Sequence, residues 1–134
     1  MKRFLCLIVI LFVPVLAYAD GTSLSTLVTV QNVPFEKCTK NYDISAQNLF
    51  YLTLASINAN RFRIDEIQSK TGYIMFNAVN KEFLASIVSY DENNALLKIT
   101  PVNNVYYFPP GIVLNLFKYI DVNKSVRPVS LKVN

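Results

Sequence analysis

Between Phe62 and Thr100 apolar and polar residues alternate in four runs, Phe62 to Gln68, Tyr73 to Val79, Phe83 to Tyr90 and Ala95 to Thr100. A period of two, interrupted by turn residues, predicts four antiparallel strands joined as a meander. On either side the period lengthens. Leu49, Leu52, Ala55 and Ala59 recur at three- and four-residue steps with Phe50 and Ile57 beside them, and Ser45 is placed to cap the first turn. This spacing predicts a helix from about Ser45 to Asn58, with Asn58 and Asn60 suited to a left-handed exit. After the strands, Pro109 and Pro110 can open a second helix, since a first turn tolerates missing amides. Val113, Leu116, Phe117 and Ile120 then fall at i, i+3, i+4 and i+7, predicting a helix over about Gly111 to Ile120 on the same sheet face. Leu24 to Val33 is rich in β-branched residues, alternates around Val28 and Val30, and is predicted to be a strand ended by Pro34. The expected fold is therefore α+β: an antiparallel meander of about four strands with two helices packed on one face, in the order β-α-β-β-β-β-α. Residues 120–134, where Val129, Leu131 and Val133 alternate, read as an edge strand or a loose tail.

Side-chain parity takes the expectation as far as register. A two-residue hairpin loop at Asn80-Lys81 would pair Ile74 with Ile87, Phe76 with Ala85 and Ala78 with Phe83, placing all six on one apolar face. Keeping Leu97 and Ile99 on that face requires a loop of three or five residues around Glu92 to Asn94, with an asparagine at positive φ. A regular four-residue loop would instead bring Lys98 opposite Ile87, inside. Pairing Ile64 with Phe76 makes Ser69-Lys70-Thr71 a three-residue loop with Gly72 opposite Gln68.

The N-terminus changes the setting of this domain. Met1-Lys2-Arg3 precedes an apolar run from Phe4 to Ala17, and Ala17-Tyr18-Ala19 forms a small-x-small site. A basic start, about 7 to 15 apolar residues and such a site constitute a secretory signal peptide. The run is shorter than the roughly 20 residues of a membrane span and carries Pro14. Residues 1–19 are accordingly read as a signal peptide, and residues 20–134 as one exported domain, periplasmic or secreted, with no transmembrane segment after cleavage. Loss of Lys2 and Arg3 leaves 11 of the 13 basic residues against 9 acidic ones, a net charge of +2. The remaining cations are scattered singly, which speaks against nucleic acid as a partner. Cys38 is the one cysteine left beyond the leader. It reads as a half-buried small residue, with an intermolecular link or a redox site as alternatives, and the fold has to rest on its core.

The candidate chemistry is sparse. The chain contains no histidine, which removes the commonest general base and the commonest metal ligand. No catalytic residue, metal site or cofactor is expected. Lys70-Thr71-Gly72 matches one motif of serine β-lactamases and penicillin-binding proteins, but the exported domain has no S-x-x-K nucleophile, so these residues are read as a turn. Asp65-Glu66 and Asp91-Glu92 are adjacent carboxylates, whose strand neighbours point to opposite faces. Solvated hairpin ends are one reading of them; a dyad formed across the sheet, in a small carboxylate-dependent hydrolase or glycan-modifying enzyme, is the other. Tyr106, Tyr107 and Phe108, before Pro109-Pro110, are the candidate partner-binding residues, since tyrosine offers contact area with a polar handle. The competing reading has Tyr106 and Phe108 closing one end of the core. A carrier of an apolar ligand held between sheet and helices is a further alternative.

A helix followed by Phe62-x-Ile64, Gly72-x-Ile74-x-Phe76, further strands and a second helix resembles the small repeated domain in the C-subunit lipoprotein of the outer-membrane β-barrel assembly machine, over roughly Ser45 to Tyr90. The lipid-attachment cysteine of that family is not present here. The resemblance implies an envelope scaffold or interaction role, with an envelope protein or peptide as partner. It agrees with the leading expectation from the residues themselves, a non-catalytic binding or assembly module.

Overall fold

A computed structural model describes residues 24–125. The leader expected over residues 1–19 and the tail beyond residue 125 lie outside the described residues. In chain order the elements are α1 (Leu24–Val28), β1 (Gln31–Asn32), a 3-10 turn (Phe35–Cys38), β2 (Thr39–Tyr42), α2 (Ala46–Ala59), β3 (Arg63–Gln68), β4 (Tyr73–Ala78), β5 (Lys81–Asp91), β6 (Asn94–Pro101), β7 (Tyr107–Phe108) and α3 (Gly111–Asn123). The fold is α+β. Its main sheet is antiparallel with strand order β2-β6-β5-β4-β3, and β1 and β7 form a separate two-stranded ribbon. The helices pack on one face of the main sheet.

Four of the predicted strands and both main helices are present. The strand expected over Leu24 to Val33 is not. Leu24–Val28 is helical, closed by the amide and hydroxyl of Thr29 donating to the Ser25 carbonyl, and only Gln31–Asn32 is extended. Alternation around Val28 and Val30 had no core to answer to, since both are exposed. β2 was not foreseen: it is an edge strand in which only Tyr42 is fully buried, so its sequence, Thr39-Lys40-Asn41-Tyr42, shows no apolar period.

The β4–β5 hairpin keeps the predicted face but not the predicted pairing. Phe76 lies opposite Phe83 and Ile74 opposite Ala85, so the two loop residues are Val79 and Asn80, at φ 52° and 58°, rather than Asn80 and Lys81. Two positive φ values in a two-residue loop define a type I′ turn, whose twist suits the flanking strands. A slip of two residues preserves parity, and Ile74, Phe76, Ala78, Phe83, Ala85 and Ile87 are all buried in one cluster. Packing explains the preferred pairing. Rings of Phe62, Phe76 and Phe83 stack in sequence at 5.9 and 5.5 Å, and Phe108 meets Phe83 edge-on at 5.1 Å. This aromatic row offsets the strain of a valine in the left-handed region.

Between β5 and β6, Leu97 faces Ile87 and Ile99 faces Ala85, as parity required. The odd residue is supplied by a bulge at Tyr90 together with a two-residue turn, because Asp91 pairs with Asn94. No asparagine of this turn takes positive φ. The Asp91 carboxylate shapes it instead, accepting from the Asn93 amide at 2.8 Å and from the Asn94 side chain. A second bulge, at Asp65, shifts the β3–β4 register beyond Ile64. Gln68 therefore pairs with Tyr73, and the loop is Ser69 to Gly72, not Ser69 to Thr71. Gly72 adopts φ 74° and stands so close to β5 that a Cβ there would lie 3.0 Å from the Ile87 carbonyl oxygen.

Ser45 caps α2 as expected, its side chain accepting from the Asn48 amide. The buried face is rotated from the predicted stripe: Leu49, Phe50, Thr53, Ser56 and Ile57 face inward, while Leu52 and Ala55 are half-buried and Ala59 is exposed. Two small hydroxyl residues can occupy the interior because Thr53 donates to the Leu49 carbonyl and Ser56 to that of Thr53, which leaves no unmet polar atom. The left-handed residue beyond the helix is Arg61, at φ 59°, and neither Asn58 nor Asn60. In α3, Val113, Leu116, Phe117 and Ile120 are buried as predicted, and the helix continues to Asn123, beyond its expected end near Ile120. Among the described residues no helix is long and apolar enough to cross a membrane.

Candidate functional site

The Tyr106-Tyr107-Phe108 segment is divided by the ribbon it belongs to. Phe108 pairs with Gln31 and Tyr107 with Asn32, and the Val33 amide donates to the Tyr106 carbonyl. Extended backbone sends successive side chains to opposite sides. Phe108 is 1% exposed against Phe83, Tyr106 is half-buried with its ring edge-on to Phe35 at 6.1 Å, and Tyr107 is 54% exposed. Burial, with a smaller contribution from Cys38, raises the Tyr106 hydroxyl pKa. Of the three residues, Tyr107 is the one that presents its ring to solvent.

The carboxylate pairs are not brought together. Glu66 is in register with Met75, and Met75 with Leu84; Leu84 is seven positions from Asp91 along β5, a distance of roughly 23 Å at strand rise. That is far beyond the separation a two-carboxylate glycosidase uses. Each pair has a local role. Asp65, on its bulge, accepts from the Arg63 guanidinium at 2.8 Å, which holds its carboxyl below the usual range. Glu66 accepts from the Tyr73 hydroxyl at 3.0 Å and thereby raises that phenol's pKa. The Asn93 amide, then the Asn94 side chain, keep Asp91 low. Cys38 is fully buried, and burial, with a smaller push from Glu36, raises its thiol to about 11. A thiol in that state is a poor nucleophile.

Two surfaces bear on binding. One is the outer face of the main sheet, opposite the helices. Met75 and Leu84 pair across β4 and β5, Val88 and Leu96 pair across β5 and β6, and Tyr73, Ser86 and Lys98 form the row between them. Val88 is exposed and the other six are half-buried. The face is thus a mixed one with two apolar patches, and no element among the described residues covers it.

The other surface is a groove of about 590 Å3 on the helix side, at the sheet end near the β3–β4 loop. Gln47, Phe50 and Tyr51 of the first turns of α2 form one wall, Lys70 and Thr71 the other, and Ile87 and Ser89 the floor. Local sequence marks Lys70 and Thr71 as turn residues alone. Their place beside an aromatic helix face depends on the long-range docking of α2, which no local pattern reports. The groove lies at the rim, while the layer between sheet and helices is filled by residues such as Phe76, Leu97 and Leu116, all with no exposed surface.

Compared with known proteins, the chain matches no family model, no curated protein and no solved structure.

Proposed function

We propose that this protein is a non-catalytic binding or assembly module of the cell envelope, exported by its N-terminal leader, and that it engages a protein partner through the open face of its sheet. The observation that carries this reading is the one-sided sheet. The helices cover only the inner face, leaving Met75, Leu84, Val88 and Leu96 half-buried or exposed on the outer one. Two apolar patches separated by the row of Tyr73, Ser86 and Lys98 have the mixed apolar and polar composition of a non-obligate contact surface. Dispersal of the carboxylates and burial of Cys38 favour binding over catalysis. The resemblance read from the sequence of Ser45 to Tyr90 implies the same role.

The test is site-specific photo-crosslinking in exporting cells, with the photoreactive residue placed at Leu84, at Tyr107 or, as a control on the helical side, at Lys118. A discrete adduct from position 84 that is absent from position 118 is expected, and Met75→Asp should abolish it. Identical adducts from all three positions, or none from position 84, would refute the reading. N-terminal sequencing of the exported protein should begin at Asp20.

A further inference from the structure

β5 is longer than the strand beside it. β4 begins at Tyr73, opposite Ser86, and the last contact on that side is the Ile87 amide donating to the Gly72 carbonyl at 2.7 Å. Hydrogen-bonding groups alternate in direction along a strand, so the amide and carbonyl of Ser89 point to the same side as those of Ile87. No strand among the described residues meets them there. The Gly72 amide, which would otherwise return a bond to Ile87, turns away to the Gln68 carbonyl. This stretch of β5, paired with β6 but open on its β4 side, forms the floor of the groove described above. Lys70 is the charged side chain lining that groove, and it makes no salt bridge among the described residues. Tyr51, 57% exposed, stands on the opposite wall.

The geometry points to a peptide-binding site: an extended, carboxylate-bearing peptide that continues the line of β4, pairs its backbone with Ser89, and sets its carboxylate against Lys70. A free strand edge takes up extended backbone through main-chain hydrogen bonds, and neighbouring side chains select the sequence. Lys70 supplies that selection by charge, and the ring of Tyr51 covers the peptide from the helix side. The side chains that select the peptide, Lys70 and Tyr51, lie on the helix side and are not part of the outer face, so either site can fail with the other intact.

The experiment titrates the 15N-labelled exported protein with the peptide Ac-Thr-Val-Glu-Val-Thr-NH2, with its Glu-to-Gln counterpart, and with a version N-methylated at the three central residues. The Glu peptide should shift the Ser89 amide saturably. The Gln peptide should bind about threefold more weakly, the scale of one exposed ion pair. In Lys70→Gln, a substitution in an exposed loop, the two peptides should bind equally. N-methylation should remove the Ser89 response. The proposal is overturned if the Ser89 amide stays unmoved at millimolar peptide, if the N-methylated peptide shifts it equally, or if Lys70→Gln keeps the preference for Glu.

Discussion

The β4–β5 turn offers a test in which two pairings of the same strands forecast opposite results. Val79 and Asn80 both occupy the left-handed region, at φ 52° and 58°. For an L-residue this conformation costs about 1–2 kcal/mol, and a β-branched side chain suffers it more than asparagine does. Val79 is 68% exposed, so replacing it forfeits only part of a small side chain's burial. Val79→Asn is therefore expected to stabilise the fold by about 0.5–1 kcal/mol, a rise in Tm of roughly 3–6 °C for a domain of this size. Lys81 is a strand residue paired with Ala78, and Lys81→Gly should destabilise by about 0.5–1 kcal/mol through lost strand propensity and added chain entropy. Were the loop Asn80-Lys81, Lys81→Gly would create the favoured Asn-Gly turn and raise the midpoint. Urea unfolding of both variants, at unchanged m-value, decides the matter. A higher midpoint for Lys81→Gly together with a lower one for Val79→Asn would refute the pairing and the aromatic row built on it.

Gly111→Ala should destabilise by about 1–2 kcal/mol, because the added Cβ would sit 2.8 Å from the Leu27 carbonyl oxygen; hydrogen exchange should show the loss concentrated in Leu24–Val28. Phe76→Ala removes the centre of the stacked row, from a position with no exposed surface, and should cost about 3–5 kcal/mol. Phe62→Ala, at the half-buried end of the row, should cost clearly less in the same denaturation series, and equal losses would contradict the assigned burial. Cys38 should react with a thiol reagent at pH 8 only on unfolding. Since burial raises its pKa from 9.0 to about 11, the folded protein holds the proton that the unfolded chain releases. The stability this contributes is complete below pH 9 and declines as pH rises toward 11. Cys38→Ala should flatten that decline in urea midpoints measured across the interval.

What the sequence determined by itself was the elements whose side-chain period answers to the core, which the alternation over Leu24 to Val33 does not. Alternation placed β3 to β6, the three-and-four spacing placed α2 and α3, and Ser45 marked its helix start through a bond to Asn48 only three residues away. Parity selected the buried face of β4, β5 and β6, because a strand that slips by two residues returns the same side chains to the core. Tertiary structure decided what parity leaves open. It chose Phe76 over Ala78 as the partner of Phe83, through ring stacking that reaches to Phe62 and Phe108. It inserted bulges at Asp65 and Tyr90, rotated α2 to bury Thr53 and Ser56, and recruited Thr39–Tyr42 as an edge strand. The candidate surfaces belong to this second group. Tyr106, Tyr107 and Phe108 are contiguous in sequence, yet extended backbone sends Tyr107 away from the other two. Lys70, Tyr51 and Ser89 are far apart in sequence, and only the docking of α2 against a β5 that outruns its neighbour brings them around one groove.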